Sequence, residues 1–145
     1  MALPLMVVCL GEALVDRLGP PGGDPALDQP VDDRLGGAPA NVACGLAQLG
    51  TAVAFVGRVG DDLIGEQFSY RLQQRGVETS GLQVDPDRPS RIVLVRRSVA
   101  GERQFQGFAG NCGQGFADQA LRSVSPPIRA RWLLLGSIPL ASAQS

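Results

Sequence analysis

Short, continuous apolar runs alternate in this chain with segments of helical periodicity, and that order narrows the possible folds more than any other feature. Met6 to Leu10 is apolar and partly β-branched, and Gly11 ends it. Such a run suits a strand buried on both faces, as in a parallel sheet. Gly36-Gly37 then precede a segment in which Val42, Ala43, Leu46, Ala47 and Leu49 recur at helical spacing, with Gly50 as its stop. Ala52 to Val56 reads as a second buried strand and GRVGDD as a loop. Asp61 or Asp62 can cap a helix from about Leu63 to Arg75, whose stripe is Ile64, Phe68 and Leu72 and whose end is Gly76. Strand, helix, strand, helix predicts an α/β layered fold with parallel strands.

The remaining segments are of a different kind. Gly19 to Pro30 is dense in Gly, Pro and Asp and reads as a loop, with a short strand possible at Val31 to Leu35. Arg91 to Val99 and Arg103 to Phe108 flank Ala100-Gly101, which predicts an antiparallel hairpin. Its alternating arginines suit a sheet with one solvated face. Ala109 to Gly115 is glycine-rich, a weak helical segment begins at Leu121 and meets Pro126-Pro127, and Trp132 to Leu135 is a further apolar strand. No covering helix follows that strand, so the chain reads as one part of a longer domain.

Composition removes whole classes of chemistry. The 145 residues contain no histidine, which excludes a Ser-His-Asp triad, a Cys-His dyad and His-ligated metal. All 13 basic residues are arginine, so neither a GxxxxGK[ST] phosphate loop nor a Schiff-base lysine exists here. Cys9, Cys44 and Cys112 form no CxxC, and the first two lie in apolar patterns as small buried hydrophobes. A net charge of −1 gives nucleic acid or an anionic membrane no basic surplus to bind. No 18-residue apolar stretch occurs, and the apolar start lacks a basic leader, so the expected location is cytoplasmic.

The segment with most chemical content is GGAPANVACGLAQLG at Gly36 to Gly50, with GEALVD at Gly11 to Asp16 before it. Adjacent glycines let a backbone approach a ligand and offer N–H groups, and a helix N-terminus adds partial positive charge. Asn41 can donate and accept hydrogen bonds, and Asp16, just after the first strand, can accept from hydroxyls. Taken alone, a Gly-Gly pair is commonly only a turn and an Asn only a cap. Together, one carboxylate, one amide and a bare backbone make a site for a polyol.

GGAPANVACGLAQLGTAVAFVGRVGDDLIG resembles the N-terminal signature of the ribokinase-like (PfkB) carbohydrate kinases, and the GGAPANVA form is nearest the fructokinase branch. RGVETSGL, VAGERQF and LLLGSIPL extend the likeness over nearly the whole chain. The resemblance implies a Rossmann-like, mostly parallel sheet flanked by helices, with a small β lid formed near residues 31–35 and 91–108. It implies ATP- and Mg2+-dependent phosphorylation of a sugar hydroxyl, with fructose the foremost substrate, and a homodimer contact through the lid. Asp16, Gly36, Gly37 and Asn41 match sugar-contacting positions, Gly136 lines the same pocket, and Arg91, Val93, Phe105 and Phe108 belong to the lid. The family's GAGD-like turn, which carries the general base and cradles phosphate, does not occur in this sequence, and its nucleotide-binding half lies beyond residue 145. GRVGD at Gly57 to Asp61 is superficially like it but stands on the substrate side. QGFAGNCGQGFAD replaces the aromatic-arginine pair that relatives carry at the end of the hairpin. The expectation is therefore an inactive sugar-binding half of a kinase. The alternatives are a non-catalytic sugar-binding or dimerisation module, or a family kinase for 2-keto-3-deoxygluconate or another sugar.

Overall fold

In the computed structural model of the chain, residues 4–30, 32–109, 115–124 and 128–141 are described. Their elements run β1 (Val7–Leu10), β2 (Leu14–Pro21), β3 (Asp32–Gly36), α1 (Ala38–Gln48), β4 (Val53–Gly60), α2 (Leu63–Gln74), β5 (Glu78–Asp85), β6 (Arg91–Arg97), β7 (Arg103–Phe108) and β8 (Trp132–Leu135), with 3-10 turns at Ala117–Ala120 and Ile138–Ala141. Two sheets result, ordered β5-β4-β1-β8 and β3-β2-β6-β7. The first is parallel throughout, as the buried apolar runs require. In the second, β2 pairs antiparallel with β3 and parallel with β6, and β6 pairs antiparallel with β7. The α/β layers of the sequence reading are present, and the strands it assigned to a β lid form part of the second sheet.

Both helices cover one face of the parallel sheet. Ala40, Ala43 and Cys44 of α1 and Phe68 and Leu72 of α2 are buried against Cys9, Val53, Phe55 and Val59. The small side chains of α1 let its backbone lie close to β1. Phe55, Phe68 and Leu72 are the largest side chains wholly enclosed there, and burying each is worth about 1.5–3 kcal/mol. Cys9 and Cys44 are free, buried thiols, as their apolar patterns predict, and Cys112 lies outside the described residues. The opposite face carries a smaller cluster of Val8, Ala54 and Val56, packed by Leu121, Val124 and Ile128.

Five details differ from the sequence reading. β2 was not anticipated, and it takes in Gly19 to Pro21, so the loop begins at Gly22. The alternation in this strand is broken by Gly and Pro, and its pairing with β3 and β6 overrides that composition. β4 runs on through Gly57–Gly60, where a loop was expected, because β5 pairs alongside as far as Gly60↔Asp85. β5 was itself unread, since its polar residues hide the period. Residues 121–124 form no helix, and Ala117–Ala120 is a 3-10 turn instead. The predicted strand at Val31 to Leu35 appears as Asp32–Gly36, Val31 lying outside the described residues.

Candidate functional site

The order β5-β4-β1-β8 places a topological switch point at β1. The chain leaves β1 towards β4 on one side and later adds β8 on the other. In open α/β sheets the crevice beyond the carboxyl ends of the strands at such a point is the ligand position. Here those carboxyl ends are Gly11-Glu12 after β1 and Gly136 after β8. The two ends are tied by the Gly136 N–H, which donates to the Leu10 carbonyl at 2.7 Å. β2 follows directly from the end of β1, and β3 pairs with it up to Leu14↔Gly36.

The glycines at this end serve close approach. Gly37 has φ +96, and a Cβ there would stand 2.5 Å from the Glu12 carbonyl oxygen. At Gly136 a Cβ would stand 2.5 Å from Glu12 Oε2 and from Pro39 Cγ. The Cβ position of Gly36 lies 2.9 Å from Asp16 Oδ2. Asp16 is thus brought directly against the double glycine. It sits within β2, paired with Arg34 of β3 and Val93 of β6. Burial pushes its carboxyl above the ordinary aspartate range, and Arg103 of the lid pulls it part of the way back. No hydrogen bond among the described residues occupies that carboxylate.

Glu12 was not singled out in the sequence, although GEALVD contains it. It is 4% exposed, and its Oε2 is buried with no hydrogen-bond partner among the described residues. Burial raises its pKa. The backbone N–H groups of Glu12 itself and of Ala38, which face the carboxylate, act in the other direction. The first N–H of α1 therefore faces an internal carboxylate. The available signal was one acidic residue inside an otherwise apolar passage from β1 to β2.

Asn41 is exposed in the first turn of α1, and its Oδ1 accepts from Arg71 Nη2 of α2 at 3.4 Å. Arg71 Nη1 also donates to the Leu35 carbonyl at 2.7 Å, immediately before the double glycine. Arg71 thus braces the turn that carries Gly36 and Gly37. Its role could not be seen from spacing, because Arg71 and Asn41 lie on different helices.

Arg91 begins the lid strand β6 and is enclosed, contrary to the expectation of solvated arginines along the hairpin. Its Nε and Nη2 donate to Asp118 Oδ2 and Oδ1 at 2.6 and 2.8 Å. The guanidinium carbon lies 4.7 Å from the ring centres of both Phe108 and Phe116. A planar cation between two aromatic faces with a two-point carboxylate is a clasp from lid to base. Val93 is buried beside it, and Phe105 packs edge-on to Phe108 at 5.4 Å while remaining 66% exposed.

Among the described residues, no group of three or more acidic or cysteine side chains is placed to hold a metal ion. The GRVGD stretch is not an anion hole, because Gly57–Gly60 is strand and the Gly60 N–H donates to Ser90 Oγ. The glycine run Gly110 to Gly115 lies outside the described residues except for Gly115. No helix of the described residues is long and apolar enough to cross a membrane.

Comparison with known proteins agrees with this architecture. A family model described as pfkB family carbohydrate kinase matches residues 4–125. Probable fructokinase-7 of Arabidopsis thaliana is 38% identical over 104 residues, 71% of this chain and 30% of the relative. The fructokinase of Escherichia coli is 38% identical over 138 residues, 94% of this chain and 42% of the relative. The crystal structure of fructokinase from Xylella fastidiosa superposes with a TM-score of 0.67 and 34% identity, covering 81% of this chain and 36% of that one. A second structure of that protein holds ATP. The chain spans less than half the length of these relatives.

Proposed function

Since this chain belongs to the pfkB family of carbohydrate kinases, we propose that it supplies the sugar-binding side of an ATP-dependent sugar kinase, with fructose as the substrate. The observation that carries this reading is the unoccupied Asp16 carboxylate, set against Gly36 at the switch point of a parallel sheet and beneath a lid. Asp16 accepts from sugar hydroxyls there. The Gly36-Gly37 backbone and Gly136 line the approach, Asn41 reaches it from α1, and Arg91, Val93, Phe105 and Phe108 support the lid. A site made of acceptors for hydroxyls rejects an analogue that lacks them, because its polar groups are then left unpaired. The naming of the relatives as fructokinases supports fructose over other sugars.

Phosphoryl transfer depends on positioning and on electrostatic stabilisation of the transferred group. The described residues provide the first for the sugar. The family's GAGD-like turn does not occur in this sequence, which supports the reading that the 145 residues alone bind the sugar without phosphorylating it. A cytoplasmic location accords with that reading. The exposed Phe105 and the open edge of β7 support the lid as a contact between two copies of the chain.

Calorimetry with fructose, with and without ATP, tests the reading. Binding of fructose with no response to ATP is the expected result. Asp16→Asn should weaken it about 10–100-fold, since a hydrogen bond to a charged group is worth about 1.5–3 kcal/mol. Because burial raises the Asp16 pKa, affinity should fall as pH drops through that raised value, starting above the ordinary aspartate range. The Asn variant should lose this dependence. Absence of fructose binding would sink the sugar assignment, and rapid phosphorylation of fructose by this chain would sink the division of labour.

A further inference from the structure

Glu12 carries a cost that packing does not explain. An enclosed carboxyl oxygen without a partner destabilises a fold, whereas a glutamine has the same shape without the charge. The position of Glu12 suggests what the carboxylate does. Helix α1 begins without a side-chain cap: Gly37 has none, the first turn holds no acidic residue, and Pro39 has no N–H to offer. Glu12 lies against this turn: its carbonyl oxygen is 2.5 Å from the Cβ position of Gly37, and its carboxylate faces the Ala38 N–H, which lowers its pKa. Oε2 of that carboxylate stands 2.5 Å from where a Cβ of Gly136 would be. One side chain thus touches both walls of the crevice, the double-glycine turn and the end of β8.

We infer that Glu12 is a positioning residue of the sugar pocket, pinning the Gly37-Ala38 turn against Gly136 and so fixing the distance between the two backbones that meet the sugar. The inference rests on the reading of this crevice as a sugar site. Glu12 itself need not touch the sugar, because its Oε2 is enclosed. Beyond burial and the two facing N–H groups, the charged groups that face it are Asp118 of the 3-10 turn, which raises its pKa further, and Arg91 of β6, which lowers it. Gly136, whose Cβ position lies 2.5 Å from Glu12 Oε2, carries no charge.

The test compares the 145-residue chain with its Glu12→Gln variant in three measurements: fructose calorimetry, the thermal midpoint at neutral pH, and the Ala38 amide resonance across pH. Gln keeps the shape and removes the charge. Fructose binding should weaken about 3–10-fold, a fraction of one charge-assisted hydrogen bond. The thermal midpoint should stay equal or rise, because the buried charge is gone. The Ala38 amide should titrate in the parent chain, with a midpoint above that of an ordinary glutamate, and be flat in the variant. Unchanged fructose affinity would overturn the inference. So would a joint fall of affinity and midpoint, which is what a merely structural side chain produces, or an Ala38 amide that does not respond to pH. If the parent chain does not bind fructose, the sugar reading fails on its own, and the Ala38 titration still decides whether Glu12 holds the turn.

Discussion

At the scale of single residues, charge matters according to where it is enclosed. Arg91 and Asp118 are 3% and 1% exposed at their side chains, and Arg17 and Asp33 are 29% and 38% exposed. Both pairs show two-point geometry with similar distances. Removing one partner of the enclosed pair leaves the other charge buried, so Asp118→Ala should cost about 3–5 kcal/mol. Asp33→Ala should cost less than about 1 kcal/mol, because water screens and replaces the exposed contact. Urea denaturation of the two variants checks the contrast, and equal losses would contradict it. Neither pair could be recognised in the sequence, where Arg91 looked like one more arginine on an alternating strand. Cys9, Cys44 and the Phe68–Leu72 stripe were readable, because their environment follows from the local apolar pattern alone.

At the scale of elements, Asp62 joins a helix, the second sheet and the end of β4 at one node. Asp62 caps α2 by accepting from the Gly65 N–H at 2.9 Å. It also accepts from the Ser90 N–H and Ser90 Oγ, at 2.7 and 2.8 Å, at the start of the lid strand β6. Ser90 Oγ in turn accepts from the Gly60 N–H at the end of β4. Burial of Asp62 works against its charge, but these donors together outweigh it and hold its pKa below the usual aspartate value. A lowered folded-state pKa contributes stability that is present above the unfolded value and is lost as pH falls through the folded one. The chain should therefore lose stability below the ordinary aspartate range, and Asp62→Ala should be about 0.5–2 kcal/mol less stable at neutral pH, the usual cost of a lost cap. Its acid limb should also be shallower. Thermal melts of both chains at several pH values measure this, and parallel acid limbs would refute it. The cap itself was legible as Asp61 or Asp62 before a helical stripe. Its second task was not, because Ser90 lies far along the chain.

At the scale of the whole molecule, the α-helices among the described residues cover one face of the parallel sheet. On the other, Val8, Leu10 and Val56 meet Val124, Ile128 and Trp132 around a cavity of about 420 Å³. Trp132, Leu133 and Leu135 of the edge strand β8 are each more than half exposed. An apolar edge strand with free N–H and carbonyl groups invites pairing between copies. Light scattering should show concentration-dependent association of the 145-residue chain, reduced by Leu133→Lys with Leu135→Lys. Clean monomers at high concentration would contradict this. The sequence by itself determined the parallel sheet, its covering helices and the lid hairpin, because buried runs, helical spacing and turn residues are local signals set by the period of each element. It also marked Asp16 and the double glycine. Only the tertiary structure decided that β2 is a strand, that Arg91 is enclosed, and that Glu12 spans the crevice between Ala38 and Gly136. Those outcomes depend on which segments the strand order brings together, and contacts between distant residues leave no period in the chain.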